Sequence, residues 1–409
     1  MLNRGDERKI LKLDKHQYIS VYLSRNSAGI YMRAIVSVIN DLSTDQRVHK
    51  VCSSLTTMGY QPLLVGRRQR QSLPLSGRNY AVSRMFLFFE RGPLFYLFFQ
   101  IRLFFFLLTH KSDVLVANDL DTLLPNYLIA RLKRIPLVYD SHELFCEVPE
   151  LLNSPFKRSV WKKIERFIFP RLKHVMTVNE SIARIYSDEY HVPVKVVRNV
   201  PRREGRSSAP MQSRKELGLP ENKRIILMQG AGINIDRGAE EALEAMLYIE
   251  NALLLIIGNG DVLPKMKQIA VSRDLTKKVL FIPKLPFEKL RQYTGHADIG
   301  LTLDKDTNIN YRNSLPNKLF DYIQAGVPVL ASDLPEIRKI VERYQIGNLI
   351  PDHDPRTIAG VLNANLSNPG LMALWKENTK LASEKLCWEE EESVLREIYL
   401  TLNKTNQVP

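Results

Sequence analysis

Cysteine is scarce in this chain. Among 409 residues there are three, Cys52, Cys146 and Cys387. They are scattered, odd in number and without metal-ligand spacing. This excludes a disulfide framework and a zinc module, and it points to a reducing compartment. Acidic residues are also in deficit, 44 against 58 Lys and Arg, for a net charge of +14. Such a balance favours anionic partners: nucleic acid, anionic lipid or phosphorylated ligands. No zinc finger or RNA-recognition core is present, so nucleic acid is not an expected partner. A membrane surface or sugar-phosphate chemistry is the better reading. No uninterrupted apolar run reaches the roughly 20 residues of a membrane-spanning helix. The opening MLNRGDERKILKLDKHQ lacks the apolar core of a signal peptide, which predicts no cleaved leader. The expected location is cytoplasmic, with peripheral attachment to the inner face of the membrane as the open alternative. No low-complexity run or short repeat occurs.

What is present is a long alternation of strand-like and helix-like segments, in a chain too long for one ordinary core. Residues 1–32 read as an extension, in which YISVYLS has strand character. From Ala34 the pattern becomes regular. A buried strand runs to Ile39, a helix from about Thr44 to Met58, and the next strand starts at Pro62. DVLVA, PLVYDS, HVMTV and VKVV continue the series, with helices between them. The stretch 201–223, PRREGRSSAPMQSRKELGLPENK, is rich in Pro, Gly, Ser and Arg and reads as a linker. After it, RIILMQG, ALLLIIG, VLFIP, DIGLTL, VPVLAS and GNLI restart the alternation. The expected fold class is α/β: two doubly wound, Rossmann-like domains facing a cleft, residues 33–200 and 224–385. Residues 386–409 form a helix and tail.

The aromatic stretch MFLFFERGPLFYLFFQIRLFFFLLTH, Met85 to His110, fits two descriptions. It is a buried helix packed on a sheet, or it lies in a membrane interface with Arg84, Arg91 and Arg102 near headgroups.

Polar residues gather at predicted carboxyl ends of strands, where open α/β sheets bind ligands. These are Asn40, Asp41 and Asp45; Asn118, Asp119 and Asp121; and Asp140, Ser141, His142 and Glu143. The richest stretch is Tyr311–Glu336. It predicts a helix capped by Ser314, with Pro316 in its first turn and Gly326 at its end. Leu315, Leu319, Phe320 and Ile323 face a core, and Lys318 and Asp321 lie elsewhere. Asp333 and Glu336 have capping-box spacing for a second helix. Two helix starts beside one strand suit a diphosphate, with a carboxylate one turn on for ribose. Asp304-Lys305-Asp306 has the spacing of a metal motif but reads as a solvated loop, so no metal is expected.

INDLSTDQRVHKVCSSLTTMGY, VLVANDLDTLLPNYLIARLKRIPLVYDSHELF, ILMQGAGINIDRGAEEALEAM, LLLIIGNGD and NKLFDYIQAGVPVLASDLPEI together resemble the retaining glycosyltransferases of family 4, or group 1, with the GT-B fold. The resemblance implies metal-independent transfer of a sugar, with retention, from a nucleotide diphosphate sugar to a membrane-linked or cell-envelope glycan. The donor is a co-substrate, and no cofactor is implied. It places the donor at Gly230, Arg237, Gly238, Asn313, Lys318 and Asp321, with His142 as the catalytic candidate near the reacting sugar. Asp45, Arg47 and Asp119 fall on the acceptor side. Arg237 stands where the family has a Lys, and Asn313 where it has a Glu. The family also implies that the last helix crosses back to the first domain. Two other readings stay open: a nucleotide-sugar epimerase, and a non-catalytic nucleotide-sugar-binding partner in a glycan synthesis complex.

Overall fold

Strands that are apolar on both faces must be covered on both faces, and that requirement organises each half of the chain. The structure is a computed structural model and describes residues 31–43, 45–69, 72, 74–75, 77–203 and 211–405. The strand-like YISVYLS, nearly all of the 1–32 extension and residues 204–210 of the expected linker lie outside the described residues.

The first unit holds a seven-stranded, wholly parallel sheet. In chain order its strands are β1 (Met32–Asp41), β2 (Tyr60–Arg68), β3 (Ala81–Phe86), β4 (Val114–Asn118), β5 (Leu137–Ser141), β6 (His174–Thr177) and β7 (Val194–Val196). Their spatial order is β3-β2-β1-β4-β5-β6-β7, so the order reverses between β1 and β4. The second unit repeats the plan with β8 (Arg224–Gly230), β9 (Ala252–Gly258), β10 (Val279–Ile282), β11 (Ile299–Thr302), β12 (Val329–Ser332) and β13 (Gly347–Ile350). Their order is β10-β9-β8-β11-β12-β13, with the reversal between β8 and β11.

Side chains alternate across a strand, and here both sides are buried. Ile225 and Leu227 of β8, with Leu253, Leu255 and Ile257 of β9, enter one core. Ile226, Met228, Leu254 and Ile256 enter the other. The helices between strands close both layers.

Three expectations about elements need correction. The edge strand β3 was not anticipated, because AVSRMF is mostly half-buried and shows no apolar run. The expected linker 201–223 is not free where it is described: Leu217 and Leu219 are buried in a core of the second unit, whose main segment begins at Arg198. Ser314 does not cap the helix. The helix spans Asn317–Gln324, Pro316 occupies the cap, and Ser314 Oγ turns back to donate to the Tyr311 carbonyl at 2.8 Å. A residue before proline is driven out of the helical region, so Leu315 delays the start.

The last helix, Trp388–Thr405, is shared between the units as expected. Through Ser393 it belongs to the second, where Trp388 N donates to the Pro201 carbonyl and Arg198 pairs with Glu391 at 2.6 Å. From Val394 it belongs to the first, with Leu395, Ile398, Tyr399 and Leu402 buried. Each such aliphatic side chain contributes about 1.5–3 kcal/mol, and Tyr60 Oη donates to the Tyr399 carbonyl at 3.2 Å.

Candidate functional site

The second unit gathers its charged residues where the strand order reverses. β8 and β11 pair only over Ile299–Ile226 and Gly300–Leu227. Beyond that the Tyr322 hydroxyl stands between them. It accepts from Gln229 N at 3.2 Å and lies 3.2 Å from the Leu301 carbonyl, to which it donates. Tyr322 belongs to the Asn317–Gln324 helix, so this wedge fixes that helix on the strand ends. Gln229 Nε2 then donates to Asp321 Oδ2 at 3.2 Å, and Thr294 Oγ1 donates to Gln229 Oε1 at 2.7 Å. The expected ribose carboxylate is thus oriented from the end of β8.

The loop after β8 is held against the loop after β11. Gly238 has φ +70°, and a Cβ there would lie 2.3 Å from the Leu303 carbonyl oxygen. Only glycine allows this approach. Lys305 N donates to the Asp236 carbonyl at 2.8 Å. Gly230 ends β8 beside Gly258, where an added Cβ would lie 1.7 Å from the Gly230 oxygen.

The consequence is a three-charge cluster. Arg237 Nη1 donates to Asp304 Oδ1 at 2.7 Å, and Lys318 Nζ lies 3.4 Å from Asp304 Oδ2. The Arg237 guanidinium also lies 4.0 Å from the centre of the Tyr311 ring, a cation–π contact. Asp304 is fully buried, whereas the Lys318 and Arg237 side chains are 14% and 27% exposed. Burial alone would raise the Asp304 carboxyl; Lys318 and Arg237 outweigh it and hold it below the usual carboxylate range. Burial also lowers the Lys318 amine, against the opposing pull of Asp304. Two cations therefore face one carboxylate, at a helix start that no side chain caps. An uncapped helix start beside cationic side chains is a setting that favours an anion.

This corrects the reading of Asp304-Lys305-Asp306 as a solvated loop. Asp304 is the centre of the cluster, and Lys305 pairs with Glu241. The available signal was a carboxylate directly after the apolar DIGLTL strand, beside the reversal of strand order. Among the described residues no group of three His, Cys, Asp or Glu side chains is placed to hold a metal ion.

Asn313 sits apart from those charges in role. It ends the short Ile309–Arg312 helix, and its Nδ2 donates to the Ile309 carbonyl at 2.8 Å. Its own carbonyl accepts from Asn179, which belongs to the same unit. The expected capping box at Asp333 and Glu336 is absent. Leu334 occupies the cap, Asp333 pairs with Arg338, and Glu336 pairs with Lys339 at 2.5 Å.

In the first unit a second polar cluster lies at the carboxyl ends of β4 and β5. His142 Nδ1 is 3.1 Å from Asp119 Oδ2, and Nε2 is 3.2 Å from Asn118 Oδ1 and 3.5 Å from Asp140 Oδ2. Burial opposes charge on the ring, but Asp119 and Asp140 outweigh it and keep the imidazole protonated well above its ordinary range. Both ring nitrogens of His142 thus face acceptor oxygens, an arrangement that favours the imidazolium form. Asp119 holds φ 59° and ψ 168°, a conformation costing about 1–3 kcal/mol for a non-glycine residue. Two bonds keep it there: its N–H to the Asp140 carbonyl, and its Oδ1 accepting from His142 N at 2.8 Å. Asp121, in the first turn of the following helix, is buried, and its Oδ1 lacks a hydrogen-bond partner. Burial, and then the charge of Asp119, raise its carboxyl well above the ordinary range.

Arg47, expected on the acceptor side, is instead a buried tie. It donates through Nε and Nη2 to Asp140 at 3.0 and 2.6 Å and through Nη1 to the Val197 carbonyl at 2.7 Å. Burial would raise Asp140, but Arg47 and then His142 bring it down to about 2. Asp45 caps the Gln46–Thr57 helix, accepting from Val48 N at 3.0 Å and from Asn40 Nδ2 at 3.2 Å.

Comparison with known proteins gives two family matches. Residues 211–382 match the model for glycosyl transferases group 1, and residues 45–202 match that for glycosyltransferase family 4. The D-inositol 3-phosphate glycosyltransferase of Xylanimonas cellulosilytica is 24% identical over 201 residues, covering 47% of this chain and 45% of that protein. The chain thus matches about half the length of that curated relative. Among solved structures, sucrose-phosphate synthase from Thermosynechococcus elongatus superposes with a TM-score of 0.74 at 15% identity, over 91% of this chain and 100% of that one. Anabaena Alr3699/HepE, solved in complex with UDP and glucose, gives 0.71 at 14% identity, again over 91% and 100%. At these identities the structural likeness is one of fold.

Proposed function

The chain belongs to the group 1, family 4 glycosyltransferases of the GT-B fold, and we propose that it transfers a sugar from a nucleoside diphosphate sugar to a membrane-linked or cell-envelope glycan. The observation that carries the donor half is the Arg237–Asp304–Lys318 cluster at the uncapped start of the Asn317–Gln324 helix. A diphosphate there pairs with the Arg237 and Lys318 cations and accepts from N–H groups of the helix start. Asp321, one turn further along and oriented by Gln229, receives the ribose hydroxyls. The presence of UDP and glucose in the solved Anabaena neighbour is consistent with this donor class.

As the glycosidic bond to the leaving phosphate lengthens, negative charge grows on the diphosphate. Arg237, Lys318 and the helix N–H groups are already aimed at it, so little reorganisation is needed. Removal of one such contact lowers the rate by about 10²–10³-fold. On the first unit, the His142 imidazolium and Asp119 are the proposed polar groups toward the reacting sugar or acceptor. Retention of anomeric configuration and independence from metal belong to the same proposal, as does a cytoplasmic site of action.

The test has two stages. A thermal-shift panel of UDP, GDP, ADP and their sugars is expected to yield one base that raises the melting temperature as its concentration rises, because it binds only the folded state. The matching nucleotide sugar then loses its sugar to a lipid or glycan extract, and NMR of the product gives the anomeric configuration. If no nucleoside diphosphate stabilises the protein, the donor reading fails. Epimerised nucleotide sugar formed without acceptor would show that the chemistry is not transfer.

A further inference from the structure

The Gly92–Thr109 helix is apolar all round: it holds a single charged residue, Arg102, and no acid. One face is core. Phe95, Phe99, Leu103 and Leu107 are at most 5% exposed and pack in the main cluster of the first unit. Another stripe follows helical spacing too. Leu94, Leu97, Ile101, Phe105 and Leu108 recur at intervals of three and four, yet they are 38–58% exposed. A surface helix ordinarily turns polar residues to that side.

The apolar surface extends beyond the helix. Phe86, Phe88 and Phe89, just before it, are 42–71% exposed. Rings join it to the Pro155–Ile168 helix, Tyr96 lying 5.5 Å from Trp161 between centroids. On that second helix Phe156 and Phe167 are exposed. Its charge is one-sided. Lys157, Lys163 and Arg166 are exposed, Arg166 lying 4.0 Å from Glu189, while the helix's single acid, Glu165, is buried and paired with Lys162 at 2.7 Å. Arg91, at the cap of the first helix, and Arg102 within it add exposed cations, against one exposed acid, Glu90.

We propose that this face docks the first unit on an anionic lipid surface. The exposed stripe lies at the boundary of headgroups and acyl chains, and the five exposed cations meet lipid phosphates. This is the balance expected of an interfacial helix, with apolar area supplying insertion and basic residues supplying attraction. The helix does not span: its other face is committed to the protein core, and its 18 residues rise only about 27 Å. A second copy of the chain is the poorer occupant. A two-fold interface sets the same patch against itself, which would bring like charges together. An anionic bilayer cancels them instead. The aromatic stretch is therefore both things that its composition allowed, core on one side and lipid-facing on the other.

The test uses the full chain and needs no nucleotide sugar, so its outcome is independent of the transfer reading. The protein is sedimented with vesicles of phosphatidylcholine alone and with vesicles containing one third phosphatidylglycerol. Wild type is expected in the pellet with the anionic vesicles, and to be released as salt shortens the Debye length from about 10 Å toward 3 Å. The triple variant Leu97→Gln, Ile101→Gln, Phe105→Gln changes only exposed positions, so its melting temperature stays the same while its partition coefficient falls at least about tenfold. Wild type that ignores anionic vesicles, or a folded triple variant that binds them as well as wild type, overturns the proposal. So does a dimer in sedimentation velocity that the triple variant dissolves while vesicle binding stays unchanged.

Discussion

Asp304→Asn removes the one carboxylate set between Arg237 and Lys318. Asparagine keeps the shape and loses the charge, removing the carboxylate that the two cations share. Breaking a fully buried pair costs about 3–5 kcal/mol. Here the Lys318 and Arg237 side chains keep some contact with water, at 14% and 27% exposure, which brings the expected loss to about 2–3 kcal/mol. For a unit of this size that corresponds to a fall in melting temperature of about 5–10 °C. A structural salt bridge would predict the same fall, so the ligand-free number does not discriminate. Added nucleoside diphosphate does. If the cluster is a phosphate site, a bound diphosphate replaces the missing negative charge. The variant should then regain most of the loss at saturation, where a ligand at 100 times its Kd adds about 2.7 kcal/mol. Its Kd should be equal to or lower than that of wild type. The assay is differential scanning fluorimetry with and without the stabilising nucleotide, followed by calorimetric titration. An unchanged melting temperature would refute the assigned burial and charge balance. A variant that folds but no longer binds the nucleotide would refute the counter-ion role and make Asp304 a direct ligand contact.

Four further outcomes are expected. Arg237→Ala should raise the Kd of the nucleoside diphosphate about 10–100-fold, as expected for a lost charge-assisted bond, while calorimetry finds nucleoside affinity little changed. Asp321→Ala should weaken nucleoside and nucleotide alike by about tenfold, and unchanged affinity would remove Asp321 from the site. His142 should give imidazolium shifts in NMR at neutral pH. Because its folded pKa lies above the ordinary 6.5, its stabilisation is complete below that value and is lost as pH rises through the folded pKa, so the deficit of His142→Gln in denaturant unfolding should shrink with rising pH. Asp121 has the opposite consequence. Its folded pKa is raised, so ionisation favours the unfolded chain as pH rises above 3.8, and Asp121→Asn should be more stable than wild type at pH 7 by the same measurement.

Much of the scaffold could be read from the chain. RIILMQG and ALLLIIG coincide with β8 and β9, because a strand covered on both faces is a continuous apolar run. The edge strand β3 escaped because only part of its surface is covered. Among the candidate site residues, Lys318 and Asp321 were picked out by their place at a helix start, and Arg237 and Gly238 only by the family resemblance. Asp304 was not, since the cation that it binds at Arg237 lies 67 residues away. Arg47 was misread for a related reason: a charged residue near a strand end is equally compatible with a ligand contact and with a buried tie to Asp140.

The sequence by itself determined the alternation, and with it two doubly wound sheets and the residues at their carboxyl ends. Alternation and helical spacing are local properties, set within a few residues. Only the tertiary structure decided which charges meet. Asp304 meets Arg237 across 67 residues, and His142 meets Asp119 across 23. The same holds for the Phe-rich helix. When every face of a helix is apolar, periodicity cannot say which one is covered. The packing of Phe95, Phe99, Leu103 and Leu107 into the core made that choice and left the opposite stripe exposed.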